Sequence, residues 1–374
     1  MQSNRKIKRV GFVIVNLAGG GAERVVLHLA EMFKEQNIDV HLFLLENVIS
    51  YTVDLSIVHP LSQKYKKSKF FKGRANNLLG EKLKKSIMKI EQDGIHFDMI
   101  LSNLPAADMV VSSVKLNRNI FYIMHTTYTL EINEMKKRGE YIRAYRRTSY
   151  YRKLYKGKDL ISVSEGIAKD LDILGIGYAS SHVIYNPFDR ELIIKLGDEK
   201  CSDIPQKEYL VVAAAFRKEK RLDIALKAYT KLSNPPKLKI LCKKDEALIK
   251  MIRDLNLEDK VEILGFRKNP YPYIKHAKLL ILSSEREGLP TVLIESLILG
   301  TPVVSTNCHS GPNEILTEEL STYLSIVNDP TDLANKINLA LKKYPEIKNS
   351  HIDKFSKENV LKNYISLFDS LVSK

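Results

Sequence analysis

Residues 283–300 read Ser-Ser-Glu-Arg-Glu-Gly-Leu-Pro-Thr-Val-Leu-Ile-Glu-Ser-Leu-Ile-Leu-Gly. The stretch parses as a strand end, a loop, a helix and a glycine stop. Pro290 suits the first helical turn, where a missing N–H costs nothing, and Gly300 suits the left-handed position after the last turn. In parallel α/β domains, ligands bind beyond such strand ends.

Outward from this stretch, short β-rich apolar runs alternate with longer helical patterns, as parallel α/β domains require. Strands are expected over 9–15, 39–45, 99–102, 120–124 and 160–163, and again over 209–214, 238–241, 261–264, 278–282 and 302–305. A further strand-like run at 182–185 precedes Asn186-Pro187-Phe188, where proline disfavours helix in the residue before it. A chain of 374 residues is too long for one ordinary core. The expectation is therefore an α/β protein of two Rossmann-like domains, 1–186 and 187–374. After Pro330-Thr331 the chain reads as helical, and its last helix is free to pack back on the first domain.

Composition narrows the class. Charged residues make up 28% and the hydrophobic class 44%, with no apolar run of transmembrane length, so a soluble globular protein is expected rather than a disordered or membrane-spanning one. Arg5, Lys6, Lys8 and Arg9 before residues 10–15 superficially resemble a signal peptide. The run passes straight into Ala18-Gly19-Gly20-Gly21, however, which suits a buried strand feeding a tight turn. Cys201, Cys242 and Cys308 lack ligand-like spacing and point to core packing in a reducing cytoplasm. A formal charge of +15 favours an anionic partner: nucleic acid, an acidic leaflet or a phosphorylated substrate.

Within the helix, Glu295 is surrounded by Val292, Leu293, Ile294, Leu297, Ile298 and Leu299. A helix apolar nearly all round is buried, and a carboxylate there needs partners, either ligand hydroxyls or a buried cation. Glu287 lies in the loop just before, near N–H groups that attract phosphate. Upstream, Ala215-Phe216-Arg217-Lys218-Glu219-Lys220-Arg221 places cations at a strand-to-helix turn, an unfavourable position without an anion to answer them. Gly19-Gly20-Gly21-Ala22-Glu23-Arg24 forms a loop between a strand and an amphipathic helix, which is either a plain turn or a close approach to a ligand. His125 follows the strand-like run at 121–124. Asp170-Leu171-Asp172 spells a metal-holding pattern, but it falls in an amphipathic helix with Ile167, Leu171 and Leu174 inward and the acids toward solvent. No metal site is expected.

Together these residues resemble the retaining glycosyltransferases of family 4, which have the GT-B fold and a Glu, seven residues, Glu hallmark. Glu287 and Glu295 fit that spacing, and Gly-Thr-Pro-Val-Val at 300–304 and Ser-Gly-Pro-Asn-Glu at 310–314 resemble the family too. The resemblance implies two domains facing a central cleft, the N-terminal one for the acceptor and the C-terminal one for the nucleotide sugar. It places Glu287 and His125 at the donor sugar as catalytic residues and Glu295 at the ribose. Gly20, Gly21, Arg217 and Lys220 fall near the diphosphate, Gly288, Leu289, Pro290 and Thr291 in the donor loop, and Glu314 near the nucleotide or sugar. Ala214-Ala215 replaces the family's usual Gly-Arg pair, and Arg217 departs from its spacing.

The implied reaction moves a hexose or N-acetylhexosamine from a UDP-sugar to a hydroxyl of a lipid-linked glycan, in bacterial surface polysaccharide, lipopolysaccharide or glycoprotein-glycan assembly. It uses no cofactor and no metal. Two basic tracts, 64–74 and 143–158, the second interleaved with tyrosines, suit an anionic membrane better than nucleic acid. Arg146, Arg147, Arg152 and Lys153 are the expected membrane or acceptor contacts, with the protein peripheral on the cytoplasmic face of the inner membrane. A non-catalytic basic module binding membrane or polyanions, and a GT-B-type sugar-nucleotide epimerase, are the alternatives.

Overall fold

The computed structural model describes residues 7–65, 72–201, 203–204 and 208–372. Arg5 and Lys6, and residues 66–71 of the first basic tract, lie outside the described residues. The chain divides into two compact units, Met1–Pro187 with Lys357–Lys374, and Phe188–Ser356.

The first unit carries strands β1 (Arg9–Ile14), β2 (Asp39–Leu44), β3 (Val58–Pro60), β4 (Met99–Asn103), β5 (Ile120–Met124), β6 (Asp159–Ser162) and β7 (Ser180–Val183). They form one parallel sheet in the order β3-β2-β1-β4-β5-β6-β7. Every residue of β1 is buried, as befits a strand covered on both faces. The helices are α1 (Gly21–Lys34), α2 (Lys72–Ile90), α3 (Pro105–Val111), α4 (Thr129–Lys137), α5 (Tyr141–Tyr155) and α6 (Glu165–Leu174).

The second unit holds β8 (Tyr209–Ala213), β9 (Lys237–Leu241), β10 (Val261–Ile263), β11 (Leu279–Leu282), β12 (Val303–Thr306) and β13 (Leu324–Ser325), parallel in the order β10-β9-β8-β11-β12-β13. Its helices are α7 (Arg190–Gly197), α8 (Leu222–Tyr229), α9 (Glu246–Asp254), α10 (Tyr271–Lys275), α11 (Thr291–Ile298), α12 (Pro312–Ile315) and α13 (Pro330–Lys342). Leu210, Val212, Leu226, Leu238, Ile240, Leu279 and Ile281 build its core. The final helix, α14 (Lys357–Val372), belongs to the first unit, where Tyr364 packs edge-on to Phe33 of α1 at 5.5 Å and Lys357 pairs with Glu35 at 3.0 Å.

In both sheets the order reverses next to the first strand of the unit, between β1 and β4 and between β8 and β11. The carboxyl ends of strands flanking such a switch point form a natural crevice for ligands. Arg217 and Lys220 follow β8 and Glu287 follows β11; Gly20 follows β1 and His125 follows β5. Topology thus delivers the candidate residues to the ligand-binding edges.

Three expectations are corrected. The run at 182–185 forms a strand two residues earlier, over Ser180–Val183. Edge strands β3 and β13, of three and two residues, were not anticipated. Asp170 does not face solvent: it is fully buried and accepts from the backbone N–H of Tyr128 at 2.7 Å and of Thr129 at 3.3 Å. It therefore caps the start of α4 from a neighbouring helix, where a negative charge meets free N–H groups. Asp172 is exposed and accepts from Tyr178 Oη at 2.6 Å. All three cysteines are free thiols, and Cys242 and Cys308 are buried.

Candidate active site

In the second unit the Lys220 ammonium donates to both oxygens of Glu287, at 2.7 and 2.9 Å, with the two side chains 24% and 10% exposed. The backbone fixes both partners. Lys220 ends a short 3-10 turn, Lys218–Lys220, whose last carbonyl accepts from Ser283 Oγ at 2.9 Å. The Glu285 N–H donates to the Glu219 carbonyl at 2.9 Å, tying the turn after β8 to the loop after β11. Arg221, in left-handed conformation at φ 46°, opens α8 and bonds Asp223 and Glu285. Arg217 is exposed and has no hydrogen-bond or ionic partner among the described residues.

The loop from Gly288 to Pro290 is clamped from the other side. Ser310 Oγ donates to the Gly288 carbonyl at 2.7 Å, and Gly311 sits at φ 95°. A Cβ on Gly311 would stand 2.4 Å from Pro290 Cδ and 2.9 Å from the Gly288 oxygen, so only glycine fits. Leu289 and Pro290 are buried, Thr291 begins α11, and Gly300 ends it at φ 76°. Glu295 is buried on α11 and accepts from Tyr271 Oη at 3.3 Å. The sequence expects ligand hydroxyls or a buried cation as partners of this carboxylate; the fold supplies a tyrosine hydroxyl. Glu314, half-buried, lies in the short helix that follows Gly311.

In the first unit, His125 Nε2 lies 2.9 Å from Asn103 Oδ1, and Asn103 Nδ2 in turn donates to the Leu101 carbonyl at 2.9 Å. The second bond orients the amide, so Nε2 carries the imidazole proton and Nδ1 presents its lone pair. Burial pushes the His125 pKa down to about 4, which keeps the ring neutral. Gly20 precedes α1 as its cap, but its N–H and that of Gly19 both donate to Glu23 Oε2 at 2.6 Å. The N–H of Gly20, a residue expected near the diphosphate, thus serves the chain's own carboxylate. Nothing lies within 4 Å of a Cβ on Gly21.

The second basic tract is not one surface. Arg147 pairs with Glu131 at 2.9 Å and lies over the Tyr151 ring, while Arg152 Nε caps the Leu174 carbonyl at 2.7 Å. Arg146 and Lys153 are exposed and unpaired among the described residues. Tyr141, Ile142 and Tyr145 are 67%, 72% and 75% exposed, so the start of α5 joins apolar and basic groups.

Among the described residues, one group of side chains could offer three metal ligands: Glu318, Glu319 and His351. His351 Nδ1 accepts from the Lys348 N–H at 3.1 Å, so the nitrogen facing the acids carries a proton rather than a lone pair. That tautomer suits a donor to the acids, not a metal ligand.

Residues 198–358 match the family model described as Glycosyl transferases group 1, and residues 19–192 match Glycosyltransferase Family 4. The chain is 30% identical, over 84% of its own length and 84% of the relative's, to the N-acetylgalactosamine-N,N'-diacetylbacillosaminyl-diphospho-undecaprenol 4-alpha-N-acetylgalactosaminyltransferase of Campylobacter jejuni. Its fold resembles the sucrose-phosphate synthase of Thermosynechococcus elongatus, with TM-score 0.79 at 16% identity over 98% and 99% of the two chains. It also resembles an Anabaena protein solved with UDP-glucose, with TM-score 0.72 at 18% identity over 98% and 100%. The architecture expected from the sequence, two Rossmann-like units of the GT-B class, stands.

Proposed function

The chain belongs to the group 1, family 4 glycosyltransferases, and from that premise we propose that it moves a hexose or N-acetylhexosamine from a UDP-sugar to a hydroxyl of a lipid-linked glycan, with retention at the anomeric carbon. The observation that carries the donor assignment is the Lys220–Glu287 pair at the β8/β11 switch point. A cation and a carboxylate held together there match the two ends of a sugar diphosphate: the cation answers the phosphates and the acid accepts from sugar hydroxyls. The Campylobacter relative's name specifies a diphospho-undecaprenol acceptor and an alpha-linked N-acetylgalactosamine, which supports the lipid-linked reading and the sugar class.

In the proposed step, the bond from the anomeric carbon to the diphosphate oxygen breaks and its electron pair leaves with UDP. The acceptor oxygen bonds the same face of that carbon, and its proton passes to the departing phosphate oxygen. Lys220, aided by exposed Arg217, offsets the charge that develops on the leaving group. His125 Nδ1 accepts from a sugar hydroxyl, and Glu295 with Tyr271 holds the ribose. With two cations in place, no metal is assigned to the diphosphate, and turnover should survive exhaustive chelation. No described helix is long and apolar enough to cross a membrane. Contact with an anionic cytoplasmic leaflet is assigned to the start of α5, where Tyr141, Ile142 and Tyr145 flank Arg143 and Arg146.

The test is thermal unfolding with a panel of nucleotide sugars, followed by turnover of the protective one with and without lipid extract. A ligand that binds only the folded state raises its stability with concentration. Protection by a UDP-sugar and extract-dependent UDP release are expected. Donor conversion that needs no acceptor would favour an epimerase, and protection by no nucleotide sugar would overturn the donor assignment.

A further inference from the structure

In the first unit a cavity of about 480 Å³ opens beside the end of α5. Asn76 and Asn77 of α2, Tyr150 and Lys153 of α5, and Lys156 and Lys158 of the connection into β6 are among the residues lining it. Among the described residues no carboxylate lines the cavity, and none of the three lysines has an ionic partner. Three like charges around one concavity repel one another, so the arrangement costs free energy unless an anion answers it. The end of α5 carries partial negative charge, which accounts for Lys153 in its last turn and Lys156 just beyond it. It does not account for the amide and phenol donors on the same wall.

Those donors suit an oxyanion. Burial raises the Tyr150 pKa to about 12, so its hydroxyl keeps its proton, and no protein acceptor takes it among the described residues. The Lys158 ammonium lies 5.4 Å from the centroid of the Tyr122 ring, which positions the charge without neutralising it. The cavity is also separate from the donor-facing residues proposed in the same unit. Lys158 immediately precedes the first residue of β6, so the cavity lies at the amino edge of the sheet. His125 and Gly20 follow strand ends at the carboxyl edge, about 16 Å away along a five-residue strand.

We propose that this cavity binds a phosphate ester, whose oxygens are held by Lys153, Lys156 and Lys158 and by donors on Asn76, Asn77 and Tyr150. The volume falls within the range of about 300–1,000 Å³ usual for small-molecule sites and leaves room for an esterified polyol beside the phosphate. The ester is either soluble or the phosphoglycerol headgroup of an anionic lipid.

Two probes separate these sources. Glycerol 3-phosphate is titrated calorimetrically into the full chain, and sedimentation is measured with phosphatidylcholine vesicles with and without phosphatidylglycerol. Both are repeated with K156Q/K158Q and with the single K156Q. UDP titration of each variant checks that the donor site in the other unit is intact, so failure of this proposal is distinguishable from failure of the donor reading. Glycerol 3-phosphate binding that weakens about tenfold or more in the double variant, and less in the single, supports a soluble ester. Phosphatidylglycerol-dependent sedimentation lost in the double variant, without glycerol 3-phosphate binding by the wild type, supports the headgroup. The proposal is overturned if the wild type binds neither probe, or if the double variant binds as the wild type does.

Discussion

The turns after β8 and β11 and the helix α5 are both rich in cations, yet they are built differently. In the turns, two half-buried cations meet carboxylates: Lys220 meets Glu287, and Arg221 meets Asp223 and Glu285. Along α5 the cations scatter. Arg143 meets Glu140, Arg147 meets Glu131, Arg152 caps a carbonyl, Lys153 lines a cavity and Arg146 points to solvent. A strand-to-helix turn gathers neighbouring residues at one edge of a sheet, whereas a helix rotates successive residues around its axis. Adjacent charges in sequence therefore share a task in the first setting and divide tasks in the second.

The largest effect should come from breaking the first setting. Glu287→Gln removes the acid from Lys220 and from the donor sugar, and kcat is expected to fall about 100-fold or more, in line with losing one electrostatic contact at a reacting centre. Parallel UDP titration should show a much smaller change. Equal losses in both would make Glu287 a binding residue rather than a catalytic one.

Next comes the clamp that shapes the same loop. Gly311→Ala places a methyl 2.4 Å from Pro290 Cδ at a φ of 95°, and a cost of about 2 kcal/mol or more is expected. Thermal unfolding should register a fall of several degrees. An unchanged midpoint would mean that the 288–290 loop yields freely and is not held as described.

Acid should act on the first unit with a known sign. Burial and the neighbouring His41 push the His59 pKa down to about 4, and burial does the same to His125. Both values lie below the ordinary 6.5 of an unfolded histidine. As pH falls below 6.5, the unfolded chain takes up protons that the folded one refuses. Stability is therefore fully present above that pH and lost toward pH 4, by on the order of 1–2 kcal/mol per histidine after allowing for solvent screening. Denaturant melts across this window, compared with His59→Gln, should show a shallower loss in the variant. Identical pH profiles would remove His59 from the account.

The smallest effect probes the second setting. Arg146→Gln should weaken sedimentation with anionic vesicles by roughly fivefold, the worth of one basic side chain near a charged leaflet. Arg152→Gln should leave sedimentation unchanged and lower the melting temperature, because its guanidinium is tied to the end of α6. Equivalent vesicle losses in the two variants would show that α5 acts as one charged face after all.

What the sequence revealed follows the same divide. The ten strands read in the two halves all form, because runs such as 9–14 and 279–282 are buried on both faces and carry a near-continuous apolar signal. β3 and β13 escaped because edge strands of three and two residues, one ending in Pro60, bury too little to leave a pattern. The burial of Glu295 was legible from its apolar neighbours, whereas Tyr271 is 24 residues away and its contact exists only in the fold. Asp170 misled for a related reason. Helical periodicity assigned it to the solvent face, but α4, from elsewhere in the chain, brings its N-terminus onto that face. Asn103 had a readable position at the end of β4, beside the switch point, and only its link to His125 was hidden.

The central claim is that the second unit holds a nucleotide diphosphate through Lys220 and Glu295. Calorimetric titration of UDP into the wild type, Lys220→Ala and Glu295→Ala tests it most directly, with circular dichroism confirming that each variant is folded. The account predicts that affinity falls about tenfold or more in each variant, as expected when one charge-assisted contact is lost. UDP affinity unchanged from the wild type in both folded variants would contradict it.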